Sequence, residues 1–154
     1  MKMSIKNGFT IPELLIALLI VGILGALAVY AINVQRATTR DAKRISDISV
    51  MRAALSQYWL QKASYPLSEG VELGRPGAGA ERLTGNGLSS LDQGAQPIFL
   101  ERFPVGPKNN EYYAYRATDN GYALRFITER ETAYGPPGVY YAHSTGVDNS
   151  DNLK

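Results

Sequence analysis

The sequence contains no cysteine. That excludes a disulfide-stapled fold, a thiolate metal site and a lipid anchor carried on cysteine. Histidine occurs once, as His143. No Walker loop, HExxH or GxSxG pattern is present, and no nucleophile–base pair stands out, so the residues offer no catalytic machinery. Excess charge is scarce too. The net charge is +2, and Lys2 and Lys6 account for it, since the other 14 basic and 14 acidic side chains cancel. Bulk charge therefore gives no reason to infer nucleic-acid binding. Glycine and proline are missing between Ala26 and Tyr65, and charge is missing for 21 residues from Leu14 to Val34.

What is present is an apolar run long enough for a membrane. About 20 consecutive apolar residues cross a bilayer, and Leu14–Val34 interrupts its run only with Tyr30 and Asn33. At 154 residues the chain suggests one domain, or one domain plus an anchor. A secretory signal has a shorter apolar core, about 7–15 residues, with a small-x-small cut site behind it. Ala26, Ala28 and Ala31 match that pattern weakly. Gly8 instead precedes the run, directly after a short basic leader, and a cut there leaves the whole apolar helix on the mature chain. Glu13 is the single charged side chain from Phe9 to Gln35. A carboxylate near hydrocarbon costs on the order of 2.5–3.5 kcal/mol, so such residues are usually paired and functional.

The stretch GFTIPELLIALLIVGIL resembles the class III signal of type IV pilins and type II secretion pseudopilins. The resemblance implies cleavage after Gly8 by a prepilin peptidase and methylation of the new N-terminal residue, Phe9. Glu13 becomes the fifth residue of the mature chain, where the family has its glutamate, and Thr10 and Leu14-Leu15 match as well. Pro12 departs from the pattern, which more usually has an aliphatic residue there. Proline is tolerated in a first helical turn, where its missing N–H lacks a partner anyway. Cleavage would create an α-amino group at Phe9, one turn from Glu13. An internal pair is one reading of that spacing. The resemblance implies another, in which Glu13 meets the N-terminal amine of a neighbouring subunit and sets axial register. Snorkelling to the headgroups without further consequence is the third.

Beyond Val34 the chain turns polar without a breaker. The positions Ile45, Ile48, Met51 or Arg52, Leu55 and Tyr58-Trp59 keep helical spacing on one face that is apolar. Pro66 ends the pattern and biases Tyr65 to extended backbone. The spacing predicts one helix from about Phe9 to Lys62, roughly 80 Å long, with fraying near Thr38-Thr39. Arg36, Arg40, Lys43 and Arg44 read as interfacial snorkelling plus surface pairs with Asp41 and Asp47. A DNA-binding stripe is the sharper alternative. Counting positive charges leaves membrane orientation open; the resemblance implies a cytoplasmic N-terminus.

The expected fold class is α+β: a long N-terminal helix, transmembrane in its first half, packed on a small three-stranded antiparallel sheet, the lollipop shape the resemblance implies. Residues 1–8 form the cleaved leader, 9–35 the transmembrane and filament-core helix, and 36–64 its amphipathic continuation. Residues 65–110, rich in glycine and proline, read as a connecting loop. QPIFLERFPVGPKNN allows a short helix or an extended piece. The sheet is expected over 111–146, with strands at 111–117, 121–129 and 138–146, and Asp119-Asn120-Gly121 as a hairpin turn. Residues 147–154 form a tail. Asp148 and Asp151 there suit calcium by ligand type, and the resemblance implies a C-terminal calcium loop in major pseudopilins, but EF-hand spacing is missing and a solvated end is the plainer reading. Tyr112, Tyr113, Tyr115, Tyr140 and Tyr141 cluster on the strands, as packing residues or, where exposed, as stacking surface.

No cofactor and no metal is assigned. The expected function is a structural subunit of a type IV pilus-like filament, stored in the membrane and polymerised through its N-terminal helix. A type II secretion pseudopilin is the alternative within that class. A single-pass membrane-anchored binding module that never polymerises is the alternative outside it. The resemblance implies as partners other copies of the chain, related pilin subunits, the prepilin peptidase and an inner-membrane assembly platform. It implies an inner or cytoplasmic membrane location first and an extracellular or periplasmic filament afterwards.

Overall fold

The computed structural model describes residues 9–93 and 95–154. Contacts divide the chain into two units, one ending at Arg36 and one covering Ala37–Lys154. A single α-helix, α1 (Ile11–Lys62), contributes to both. It runs unbroken through Thr38-Thr39, where fraying was expected, because no glycine or proline interrupts its backbone hydrogen bonding.

In the first unit every apolar side chain from Phe9 to Ile32 is exposed. Burying one such Leu, Ile or Val is worth about 1.5–3 kcal/mol. The surroundings of this segment must supply that burial, and it is long and apolar enough to cross a membrane.

In the second unit α1 behaves as an amphipathic helix. Ile48, Met51, Leu55 and Tyr58 recur at three- and four-residue steps and are buried. They join a core with residues from eight strands: β1 (Ser68–Leu73), β2 (Arg82–Thr84), β3 (Gly87–Ser89), β4 (Ile98–Leu100), β5 (Tyr113–Ala117), β6 (Tyr122–Thr128), β7 (Gly138–Ala142) and β8 (Val147–Asp148). All pairings are antiparallel. One sheet has the order β1-β5-β6-β7-β8 and the other β3-β2-β4. The class is therefore α+β. Five strands form the main sheet where three were expected, and residues 65–110, expected as a loop, carry four strands. The sequence hid them for a physical reason. β2, β3 and β4 have three residues each, too few to show alternation. β1 is bulged between Ser68 and Val71 at a positive-φ glycine, Gly70, which breaks the period of two.

The hairpin forms where expected: Ala117 pairs with Tyr122, and the Thr118 N–H donates to Gly121 O. On β5, Tyr113 and Tyr115 face inward while Arg116 faces out. Their hydroxyls donate to Asp47 (2.8 Å) and to the Pro66 carbonyl (3.0 Å), which satisfies each buried polar tip. Burial raises both phenol pKa values, with the Asp47 contact adding to the shift at Tyr113.

The charges after the membrane run differ from a surface stripe. Arg44 and Asp41 are both 2% exposed. The Arg44 fork donates to Asp41 (2.7 Å), to Glu129 (2.8 Å) and to both oxygens of Glu111. Asp41 also accepts the N–H groups of Glu129 and Arg130. Arg40 clamps Glu129 through two donors at 2.8 and 2.6 Å, and Lys108 reaches the same carboxylate at 3.1 Å. Lys43 pairs with Asp47 at 2.6 Å, the surface pair anticipated from the i,i+4 spacing. Four cations thus meet four carboxylates, and the cluster fixes one stretch of α1 to the end of β6 and the segment before β5.

That cluster sets an acid limit. Hydrogen bonds from Arg40, then Arg44 and Lys108, hold the Glu129 carboxyl well below its ordinary value of 4.5 against the opposing effect of burial. A carboxyl depressed on folding adds stability above its unfolded pKa and loses it as pH falls. Melting temperature should hold between neutrality and about pH 5, then decline below the ordinary carboxyl range near 4.5. A melting series showing equal stability at about pH 3 and about pH 6, on the two sides of that range, would contradict this role.

Candidate assembly site

The residues singled out at the N-terminus are Gly8, Phe9 and Glu13. Gly8 lies outside the described residues. Phe9 precedes α1 and is 90% exposed. Glu13 stands in the first turn.

The local sequence is Thr10-Ile11-Pro12-Glu13, and the geometry is that of a helix cap. Thr10 is the flanking residue, and its carbonyl accepts the Leu14 N–H at 3.1 Å, the first bond of the helix. Glu13 occupies the third helical position and reaches back. Its Oε2 accepts the Thr10 N–H at 2.7 Å and the Thr10 hydroxyl at 2.8 Å. This is the glutamate half of a capping box, the T-x-x-E arrangement that satisfies an otherwise orphaned N–H. Pro12 falls at the second helical position, where an N–H would have no intrahelical acceptor. Its ring therefore removes nothing the helix needs. The capping role of Thr10 was readable from the spacing, and the sequence reading passed over it by taking Glu13 only as a charge.

Two chemical properties follow. A carboxylate is held in place at the start of an apolar segment, with one oxygen committed to Thr10. The surface beyond it carries no charge as far as Val34, and a Cβ at Gly22 or Gly25 would meet nothing within 4 Å. Small residues of this kind let another helix approach closely in lipid. Replacing Thr10 by Ala keeps the backbone donor and removes the hydroxyl. The lost bond is one the hydroxyl donates to Glu13, so we expect a cost of about 0.5–1.5 kcal/mol to the first turn, seen as faster amide exchange at Leu14 with the rest of α1 unchanged.

The C-terminal tail was the other site considered. It is not a free end: β8 pairs with β7, and the segment beyond it folds back onto the sheet. His143 is buried, with Nδ1 2.9 Å from the Tyr122 carbonyl and Nε2 near Asp148 Oδ1 (3.2 Å) and the Ser150 carbonyl (3.0 Å). It is a structural residue of the tail. Asp148 Oδ2 accepts from the Lys154 ammonium at 2.6 Å, and Oδ1 accepts the Ser150 N–H at 2.8 Å. The Lys154 contact, with the Ser150 N–H second, lowers the Asp148 carboxyl to about 2. Asp151 lies 3.7 Å from Arg116. Among the described residues no group of three or more acidic, His or Cys side chains gathers around one point. With both carboxylates facing cations of the chain itself, these residues do not fit a divalent ion.

The profile of the prokaryotic N-terminal methylation motif matches residues 3–29. The chain is similar to the type II secretion system core protein G of Aeromonas hydrophila, 30% identical over 110 residues that cover 70% of this chain and 71% of the relative. The protein of that name from Pseudomonas aeruginosa is 30% identical over 108 residues, covering 70% and 71%. The one from Escherichia coli (strain K12) is 25% identical over 126 residues, covering 75% and 76%. No solved structure matched. With its methylation motif, its bare apolar helix and its sheet domain, the chain belongs to the type IV pilin and type II secretion pseudopilin family. It is a pilin-like, membrane-anchored subunit that assembles with related pilin subunits.

Proposed function

We propose that this chain is a major-type pseudopilin of a type II secretion system, a structural subunit of a periplasmic filament and not an enzyme. The relatives carry a secretion name, which favours the secretion alternative over the pilus reading first drawn from the sequence. In this reading the prepilin peptidase cuts after Gly8 and Phe9 becomes the methylated N-terminus. The chain waits in the inner membrane with its N-terminus in the cytoplasm. An assembly platform then moves subunits into the filament, where other helices bury the apolar surface left bare in the first unit.

Glu13 carries the proposal. Its carboxylate sits at the start of a membrane-crossing segment, one turn from the position of the new amine. In the filament the amine of a neighbouring Phe9 meets it and fixes how far one subunit rises above the next. Opposite charges in a low-dielectric setting attract strongly only when properly seated, so the pair specifies register while apolar burial supplies the drive.

Mass spectrometry of the purified protein tests the processing. The expected N-terminus is N-methyl-Phe9, with residues 1–8 absent; an intact leader in cells that have the peptidase would favour the non-polymerising binding module. Deleting the gene separates the two filament readings. Loss of protein export across the outer membrane is expected, and normal export with loss of surface filaments would return the assignment to a pilus.

A further inference from the structure

The tail closes on itself through a cation that belongs to the chain. Beyond β8 the backbone turns at Ser150, whose N–H donates to Asp148 Oδ1, and returns so that Lys154 Nζ meets Asp148 Oδ2 at 2.6 Å. The main-chain oxygen of Lys154 accepts the N–H groups of Tyr122 (3.2 Å) and Ser144 (3.4 Å), at the two strand ends that flank it. A Cβ at Gly121 would stand 2.8 Å from the Lys154 nitrogen and 2.9 Å from its carbonyl carbon. The absence of a side chain there is what lets the tail seat. Both oxygens of Asp148 are thus taken by protein donors, one of them a full positive charge. A divalent ion at Asp148 would stand against that ammonium and be repelled by it.

We propose that the Lys154 ammonium is the structural cation of this loop, closing residues 148–154 onto the sheet without a divalent ion. An ammonium six residues from its carboxylate does here what an external ion does in a metal-closed loop. It neutralises Asp148 and holds the returning segment against Gly121. The difference is functional. A loop closed by its own lysine is formed as soon as the chain folds and keeps its shape in calcium-poor surroundings.

The test uses the full chain in detergent micelles and follows amide exchange at Tyr122 and Ser144, with calcium or with a chelator. In the unaltered chain, exchange and melting temperature are expected to be the same under both conditions. Lys154→Met is expected to speed exchange at both amides by about two- to fivefold, the range for a part-exposed ion pair, and Lys154→Arg to restore it. Gly121→Ala checks that these amides report on the seated tail, and should speed exchange at Ser144 whatever the calcium level. Calcium-dependent protection of the unaltered chain would overturn the proposal. So would unchanged exchange in Lys154→Met or in Gly121→Ala.

Discussion

Glu13→Gln is expected to enter the membrane as the unaltered chain does and to be lost from the filament fraction. The substitution separates two jobs of one side chain. Glutamine keeps an acceptor oxygen of the same reach, so the Thr10 N–H and hydroxyl, at 2.7 and 2.8 Å from Glu13 Oε2, keep a partner. The helix start survives. What disappears is the negative charge, and with it the match for a neighbour's amine. Removing one partner of a desolvated ion pair costs about 3–5 kcal/mol because the other charge is left uncompensated. Each 1.4 kcal/mol is about a factor of ten, so incorporation should fall by a hundredfold or more. Thr10→Ala loses a hydroxyl and no charge, and its filament yield should fall far less. The check is the ratio of sheared filament to membrane-held subunit for the three chains. Wild-type incorporation of Glu13→Gln would show that register does not depend on that charge. An equal loss in Thr10→Ala would show that the cap, not the charge, is what assembly needs.

The apolar helix and the carboxylate at its start were legible in the sequence, and the reasons are physical. A membrane imposes a length and a composition, so an apolar run of 21 residues announces itself. One carboxylate beside it is conspicuous for its cost. The helix beyond it was legible as well, because Ile48, Met51 and Leu55 repeat the helical period and nothing breaks the backbone. The strands β5, β6 and β7 alternate cleanly enough to be read, and the Asp119-Asn120-Gly121 turn marks one hairpin. Reading failed where neighbours in space are far apart in the chain. Nothing local to Arg44 tells that Glu111 and Glu129 close around it, since 67 and 85 residues separate the partners. Its side chain therefore resembled any other lysine or arginine after a membrane segment. The tail failed differently: Lys154 is only six residues from Asp148, but the turn at Ser150 that brings the two together carries no pattern the sequence reading used. Asp148 and Asp151 look like calcium ligands until Lys154 and Arg116 are seen facing them.

Arg44→Met should destabilise the second unit by about 3–5 kcal/mol, the cost of removing one member of a buried charge cluster, against a total of about 5–15 kcal/mol for a typical domain. The consequences differ among the three carboxylates. Asp41 keeps the N–H groups of Glu129 and Arg130, and Glu129 keeps Arg40 and Lys108. Among the described residues Glu111 keeps a long bond from the Lys108 N–H, at 3.3 Å. Most of the cost should therefore sit on Glu111, and adding Glu111→Gln to Arg44→Met should recover about 0.5–3 kcal/mol, the usual range for directly coupled residues. Arg44→Lys keeps the charge but places three donors on one nitrogen, which cannot span Asp41, Glu111 and Glu129 together. It should fall between the two. Denaturant midpoints of these four chains and of Glu111→Gln alone, all in micelles, give the comparison. Simple additivity of the Arg44 and Glu111 substitutions would mean that their contact carries no coupling. The Glu13 and Arg44 experiments also check each other: Glu13→Gln should leave the denaturant midpoint alone while abolishing incorporation, and Arg44→Met should lower the midpoint and reduce the filament only as far as it reduces folded subunit. The two results together would separate the charge that folding needs from the charge that the proposed register needs.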